Sequence, residues 1–408
     1  MSNSMNVRNS ILALVLAGGK GERLYPLTLE RTKPSVGFGG KYRIIDFALS
    51  NLINSGIYSV YVLVQYKSQS LIEHIRTTWG KEGMLSKHFI TVVPPQMRRS
   101  NIIDWYRGTA DSVYQNMNLI YDFKPKLVAI LAGDHIYRMN LKQMIDFHNR
   151  QKSDLTISVT PISSKEAGRF GVVEVDGQWR VRDFIEKPDI EEDKDIYASM
   201  GNYIFSSDIL IQAVEEMANQ TTTHDFGKDI IPYLVKRGAK VHAYDFSFNR
   251  IPAIKRCEER FYWRDVGNIE NYWRANMDLL GRKPAIDLNN AHWPIYTAET
   301  PIAPSYFEDS EINNCLISEG AKIFNSRVQN SIIGRGVTID AGCDIRDSII
   351  MDFSKIGKKS VIQKAIIDRY NYVTNNSRIG VNRDKDKKKY YLDQSGIVVL
   401  RRGQRKIF

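Results

Sequence analysis

Between residues 315 and 367, short β-branched pieces recur every five to seven residues: CLISEG, AKIFNS, RVQNSIIG, RGVTIDAG, CDIRDSII, KIGKKSVI and QKAIID. Apolar positions at that spacing, with Gly, Asn and Asp between them, are the mark of a hexapeptide parallel β-helix, a solenoid whose coils stack inward Ile and Val. An irregular β-sandwich is the alternative that the pattern leaves open. From residue 11 to about 280 the pattern is different, alternating short apolar runs with amphipathic stretches, such as VYVLVQY then SLIEHI, and LVAILAGD then LKQMIDFHN. That alternation predicts an α/β domain with a mostly parallel sheet covered by helices on both faces. Between the two lies a proline-rich stretch with neither period, so we expect a domain over residues 1–280, a linker over 281–307, and a second domain over 308–408 that ends in a basic segment.

A chain of 408 residues with 43% hydrophobic and 25% charged residues can bury sizeable cores and suits two globular domains. Its longest apolar runs, Leu12–Ala17 and Leu127–Ala132, fall far short of a bilayer span of ~20 residues. With no signal peptide ahead of the first strand, a cytoplasmic location and no membrane partner are expected. The three cysteines, Cys257, Cys315 and Cys343, form no CxxC pair, which points to free thiols and neither a disulfide framework nor a structural zinc site. The net charge of +11 is spread along the chain without a nucleic-acid-binding motif, so anionic small molecules explain it better than nucleic acid. The runs DKDKKK (384–389) and RRGQRK (401–406) read as solvated charge, with an anionic effector or a neighbouring subunit as the sharper alternative.

The chemistry concentrates where LALVLAGGKGERLYPLTLERTKP, residues 12–34, runs from a buried strand into a glycine turn followed by cations. Gly18, Gly19 and Gly21 let the backbone turn sharply and face an anion with its N–H groups, and Arg23 and Lys33 can meet polyphosphate oxygens. Leu24 stands where a dinucleotide fingerprint has its third glycine, and no GxxxxGK[ST] occurs, which disfavours both standard motifs. Ligands gather at the carboxyl ends of such sheets, and Gly18, Gln65 and Asp134 all fall at strand ends there. Asp134 and Asp265 are carboxylates of the kind that hold magnesium together with substrate phosphates; a helix cap or turn residue is the plainer role for either. Lys187 in FIEKP can serve as a point charge for phosphate or be an ordinary surface lysine. Gln65 and the turn Gly108, Thr109, Ala110, Asp111 suit the approach of a base, or routine capping with Asp111 as the cap. His135 and His224 lack partner histidines at ligand spacing, so orienting roles fit them better than zinc.

These words stand in an order that resembles one family. AGGKGERL, RTKP, FGGKYRIIDFALSNLINSGI, VLVQYKSQSLIEHI, DWYRGTADSVYQN, ILAGDHIYRMN, RFGVVEV, FIEKP, ASMGNYIF, HDFGKDIIP and FYWRDVGNIENYW together resemble bacterial ADP-glucose pyrophosphorylases, the glucose-1-phosphate adenylyltransferases, up to about residue 380. The resemblance implies a Rossmann-like nucleotidyltransferase domain, then a left-handed parallel β-helix. It implies that ATP and glucose 1-phosphate give ADP-glucose and pyrophosphate for glycogen or another α-glucan, with Mg2+ held by Asp134 and Asp265, in a homotetramer. By the same matching Arg23 and Lys33 stabilise the leaving pyrophosphate, Lys187 holds the phosphate of glucose 1-phosphate, Glu186 and Ser199 bind sugar hydroxyls, and Tyr106 and Gly171 line the sugar-phosphate pocket.

Two rivals stay in view, a pyrophosphorylase for another nucleotide or sugar and a non-catalytic regulatory subunit. Retention of Arg23, Lys33, Asp134, Lys187 and Asp265 favours catalysis. In well-known members of the family a lysine three residues before the last Lys of the RTKP word, and a histidine shortly after it, meet an activator related to fructose 1,6-bisphosphate. Here those positions hold Glu30 and Gly37, while Arg43 remains, so we expect weak or no response to that activator.

Overall fold

The computed structural model describes residues 10–79, 88–95, 105–190, 194–218, 220–221 and 223–404. Nine strands, numbered in chain order, form the main sheet: β1 Ile11–Ala17, β2 Ser59–Val64, β3 Phe89–Val93, β4 Leu127–Ala132, β5 Leu155–Ser163, β6 Gly171–Val175, β7 Val181–Glu186, β8 Asp195–Ser206 and β9 Val241–Asp245. Their path runs β7-β6-β8-β4-β1-β2-β3, with β5 also bonded to β8, and β9 to β5. The half carrying the glycine turn is parallel, as expected: β1 pairs with β2 and β4, and β2 with β3. The other half is mostly antiparallel, organised on the long strand β8, which pairs against β4, β5 and β6, while β9 joins β5 in parallel.

The near-continuous burial of β1 and β4 is what a parallel strand covered on both faces needs. Ala13 and Val15 pack on one side with Ile45 and Leu49 of the helix Ile44–Asn54, while Leu12 and Leu14 pack on the other with Val113 and Leu210. Successive β1 side chains thus feed two cores, so the strand is fixed in register and its carboxyl end cannot wander.

The second domain is the solenoid, and uniformly parallel pairing between its coils excludes the sandwich. Ile323, Ile339, Ile356 and Val373 stack in one ladder, and Val328, Ile345, Ile362 and Ile379 in another, all essentially buried. Asn325, Asn330, Asp347 and Asn376 sit at positive φ at the corners, where a short polar side chain tolerates the left-handed region. This is the expected left-handed parallel β-helix of hexapeptide type. Its first strand, Tyr306–Glu308, begins inside the stretch assigned to the linker, because Tyr306 and Phe307 are exposed and no buried repeat marks them. The linker is not loose: Ile286, Trp293 and Ile295 are buried, and Thr297 donates to Asp46 at 2.7 Å.

DKDKKK lies on the helix Arg383–Lys389, with acids in the first turn and lysines in the last, as the helix dipole favours. The solvated-charge reading holds for the lysines but not for Asp386, which is buried and accepts from Gly380 N–H. Arg405 and Lys406 of the terminal basic run lie outside the described residues. Among the described residues no helix is long and apolar enough to cross a membrane, and the three cysteines are free.

Domains meet through a shared core in which Leu24, Phe38, Phe47 and Tyr272 pack with Ile332, Ile349 and Ile366. Inside this seam Arg31 forms a two-pronged ion pair with Asp368 at 2.7 and 2.8 Å, both groups at most 2% exposed.

Candidate active site

At the carboxyl end of the parallel strands a cleft of about 520 Å³ opens over the glycine turn. Gly18 faces Gln65, whose Cβ lies 3.2 Å from where a Gly18 Cβ would stand, so the turn and the end of β2 are packed backbone to side chain. Gly21, at φ 63°, caps the short 3-10 turn Glu22–Leu24, a conformation that favours glycine. Gln65 donates its amide to the Tyr106 carbonyl at 3.1 Å, and the Tyr106 hydroxyl accepts from Asn116 at 2.9 Å. Gly18, Gly19, Gly21, Gln65, Gly108 and Thr109, the residues expected at the nucleotide, all line this cleft, and so does Tyr106, expected at the sugar phosphate. Lys20, between two of the glycines, lines it too and holds its ammonium over the Tyr66 ring. Arg23 is exposed on the 3-10 turn and does not line the cleft.

Asp134 follows β4, and the chain then enters the short strand His135–Tyr137, which pairs antiparallel with Trp263–Asp265. The register puts Asp265 opposite His135, and thereby joins two carboxylates from distant parts of the chain. Lys33 lies between them, its Nζ 2.9 Å from Asp134 Oδ2 and 2.9 Å from Asp265 Oδ1. Arg169 adds a second cation on Asp265 at 3.2 Å. Burial would raise the pKa of Asp134, but Lys33 and His135 outweigh it and hold the carboxyl below its ordinary value. For Asp265 burial is likewise overcome, by Lys33 and His135, and that carboxyl too is held low. Lys33 is driven up against its own burial by the two aspartates. All three groups are therefore charged at neutral pH, in a wall that is two negative charges against one bridging positive.

That donor set fits a hard divalent cation. Among the described residues no three His, Cys, Asp or Glu side chains converge as a closed metal site. Two carboxylates, one of them 35% exposed, leave the remaining positions for water and phosphate oxygens, which is the usual arrangement for magnesium. His135 stands 3.6 Å from Asp134 and packs edge-on against Trp263, in line with an orienting role.

On the antiparallel side Glu186 ends β7 opposite Gly171 of β6. A Cβ on Gly171 would stand 2.3 Å from the Phe184 ring and 2.9 Å from Glu186 Oε2, so glycine leaves both side chains their room, and Glu186 lines the cleft. Burial raises the Glu186 pKa, Lys187 opposes that, and Asp225 adds to it. Lys187 is half-exposed, with its backbone at φ 51° pinned by its N–H to the Phe170 carbonyl. Strain of that kind in a non-glycine residue gathers at functional sites. Ser199 lies on β8, 3.5 Å from the Tyr203 hydroxyl. Asp225, Phe226 and Tyr203 line the same cleft, and the sequence reading singled out none of them. Asp225 was hidden beside His224 in the word HDFGKD, while Tyr203 reads as an ordinary strand aromatic.

The turn 108–111 and the segment around His224 touch each other directly. The backbone carbonyl of His224 accepts from Ala110 and Asp111, so this histidine contributes its main chain. Asp111 is not the cap expected from the sequence: Gly108 is the N-cap of the helix Thr109–Tyr114 and makes no side-chain cap bond, while Asp111, inside the first turn, takes the Arg107 N–H at 2.8 Å.

The comparisons identify the family in which this cleft, with its glycine turn and Asp134 beside Lys33, is to be read. The model of the nucleotidyl transferases matches residues 12–282, and that of the GlmU-like C-terminal hexapeptide matches residues 304–400. A glucose-1-phosphate adenylyltransferase of Thermodesulfovibrio yellowstonii is 49% identical over 400 residues, covering 97% of each chain. One from Deinococcus radiodurans is 42% identical over 408 residues, covering 96% of this chain and 98% of its own. The chain belongs to the glucose-1-phosphate adenylyltransferase family. A relative in Vibrio parahaemolyticus, glucose-1-phosphate adenylyltransferase 1, adds 43% identity over 406 residues. As in other members of this family, the match runs through both domains, so the solenoid is part of the family's pattern and not an addition to it.

Proposed function

We propose that the protein transfers an adenylyl group from ATP to glucose 1-phosphate, forming ADP-glucose and pyrophosphate for α-glucan synthesis. Family membership and the pair Asp134 and Asp265 bridged by Lys33, of which Lys33 and Asp134 line the cleft, carry this reading. A phosphate oxygen of glucose 1-phosphate forms the new bond to the α-phosphorus, and the bond from that phosphorus to the bridging oxygen of the β-phosphate breaks on the opposite side. Because the nucleophile is already an anion, no strong general base is needed; the protein must align two polyanions and offset their repulsion. Asp134 and Asp265 would hold Mg2+, which supplies charge neutralisation at the reacting phosphates when bound. Lys33 keeps the two carboxylates together and has one of its three N–H donors left for the pyrophosphate side. Arg23, exposed on the turn after the glycines and outside the cleft lining, serves the leaving group in this reading only by its family position. Glu186, Asp225 and Ser199 take sugar hydroxyls, and Lys187 the sugar phosphate. Pyrophosphate release measured for each nucleoside triphosphate with glucose 1-phosphate tests the assignment; release with another nucleotide and none with ATP would overturn it.

Lys187→Ala is expected to raise the KM for glucose 1-phosphate by a factor of ~10 or more and to leave that for ATP much less changed, since its charge serves one substrate. Initial rates against each substrate separate the two, and an equal rise for both would move Lys187 out of the sugar-phosphate pocket.

A cytoplasmic homotetramer under the control of an anionic metabolite completes the reading. At the domain seam Arg43 is pushed down to about 9 by burial and by Arg369 and Arg31, and Arg369 to about 10 by burial, Arg31 and Arg402. Such crowding of guanidinium groups favours an anion. The family's bisphosphate, however, meets Glu30, which already takes Arg402 at 3.0 Å, and Gly37, which has no side chain to offer. The small hollow beside Arg31, Gly37 and Arg369 is about 30 Å³. Weak or no activation by fructose 1,6-bisphosphate is therefore expected in a titration of initial rate at sub-saturating ATP. Strong activation at micromolar concentration would show that other cations replace the missing ones.

A further inference from the structure

Thr109 belongs by sequence to the nucleotide side of the cleft, in the turn that follows Tyr106. Its hydroxyl nevertheless points across to the sugar side. It donates to Asp225 Oδ2 at 2.9 Å and accepts from the Phe226 N–H at 3.0 Å, which commits both its donor and an acceptor position to the segment His224–Gly227. Asp225 uses its other oxygen to take the N–H groups of Gly227 and Lys228 at 2.9 and 3.2 Å, starting the helical turn Phe226–Ile230. The two segments are also in main-chain contact, with a Cβ on Gly108 only 2.2 Å from the His224 carbonyl oxygen. Gly227 in turn crowds Glu186, whose Oε2 is 2.5 Å from where a Gly227 Cβ would stand. A line of contacts thus leads from Thr109 through Asp225 and Gly227 to the Glu186 carboxylate.

We infer that Thr109 is a positioning residue for the glucose 1-phosphate pocket, acting through Asp225, even though it sits in the nucleotide-side turn. One hydroxyl fixes which way the Asp225 carboxylate faces and holds the turn carrying it against the helix Thr109–Tyr114. The nucleotide-side turn, tied to Gln65 through the Tyr106 carbonyl, and the sugar-side turn are thereby joined as one wall. Without the hydroxyl, Asp225 Oδ2 loses its donor and the carboxylate is held only through Oδ1 by the Gly227 and Lys228 N–H groups, so the sugar meets a less firmly set partner while the glycine turn that meets the triphosphate is untouched. This inference rests on the proposed adenylyl transfer, in which Glu186 and Asp225 bind the sugar.

The test compares Thr109→Val, which keeps shape and removes the hydroxyl, with Thr109→Ser, which keeps the hydroxyl, and combines Thr109→Val with Asp225→Asn. Turnover of the unaltered enzyme with ATP and glucose 1-phosphate is measured first. For Thr109→Val the KM for glucose 1-phosphate should rise about tenfold, the size of one hydrogen bond to a charged group, with the KM for ATP within about twofold. Thr109→Ser should restore it, and the double variant should be no worse than Asp225→Asn alone, because the two residues act as a unit. An equal or larger rise for ATP, an equally impaired serine variant, or additive losses in the double variant would each overturn the inference while leaving the adenylyl transfer standing. Absence of turnover in the unaltered enzyme would overturn both.

Discussion

Asp134→Asn is expected to lower turnover about 100-fold or more, with the fold intact. The carboxylate stands in a wall where Lys33 bridges it to Asp265, and each of the three charges is held in place by the other two. A neutral amide binds a hard cation poorly, so charge on the reacting phosphates goes uncompensated at the step where it matters. The substitution is nearly isosteric and Asn can still accept from Lys33, so the thermal midpoint should stay close to that of the unaltered protein. Steady-state rates at saturating substrates, with circular dichroism as the fold control, decide it. Turnover within a few fold of normal would remove Asp134 from the chemistry and leave it as a structural partner of Lys33.

Asp368→Ala should be the most damaging substitution outside the cleft, destabilising the protein by about 3–5 kcal/mol, because it leaves a buried guanidinium without its counter-charge. Arg31 and Asp368 are at most 2% exposed, so the guanidinium is left in a largely desolvated place. Burial, and with it the charge of Arg31, depresses the proton affinity of both Arg43 and Arg369, with Arg369 adding to the effect on Arg43, so an unpaired Arg31 adds to an existing excess of positive charge. Replacing both partners, as Arg31→Met with Asp368→Leu, should recover much of the loss, since two apolar groups need no counter-charge. Thermal melts of the single and double variants test this. A single variant that melts like the unaltered protein would mean that the pair is solvated in solution, and that the two domains are held by their shared apolar core alone.

Arg31 also shows what part of a site is hidden from sequence. It stands in the RTKP word next to Lys33, and nothing in that word distinguishes the two cations. One closes the domain seam through a residue 337 positions away, and the other bridges two aspartates at the cleft. Their different fates depend on loop closures that bring Asp368, Asp134 and Asp265 to them, and no local pattern encodes those partners. The same limit explains Asp225 and Thr109, whose hydrogen bond spans 116 residues.

What the sequence determined by itself was everything that depends on short-range periodicity and backbone freedom. The apolar run of β1 ending in glycines, the alternation of strands and helices, and the five-to-seven-residue recurrence of Ile and Val each constrain the chain within one or two turns of structure. Gly18, Gly21, Gln65 and Asp134 could be placed at strand ends from that information, and they do lie in one cleft. Tertiary structure alone decided how the rest of the site is built: the antiparallel pairing on β8, the register of the two-stranded ribbon that sets Asp265 opposite His135, and the positive φ of Lys187. Each of these is selected by packing against elements far along the chain, where the burial of whole faces and the pairing of charges outweigh any local preference.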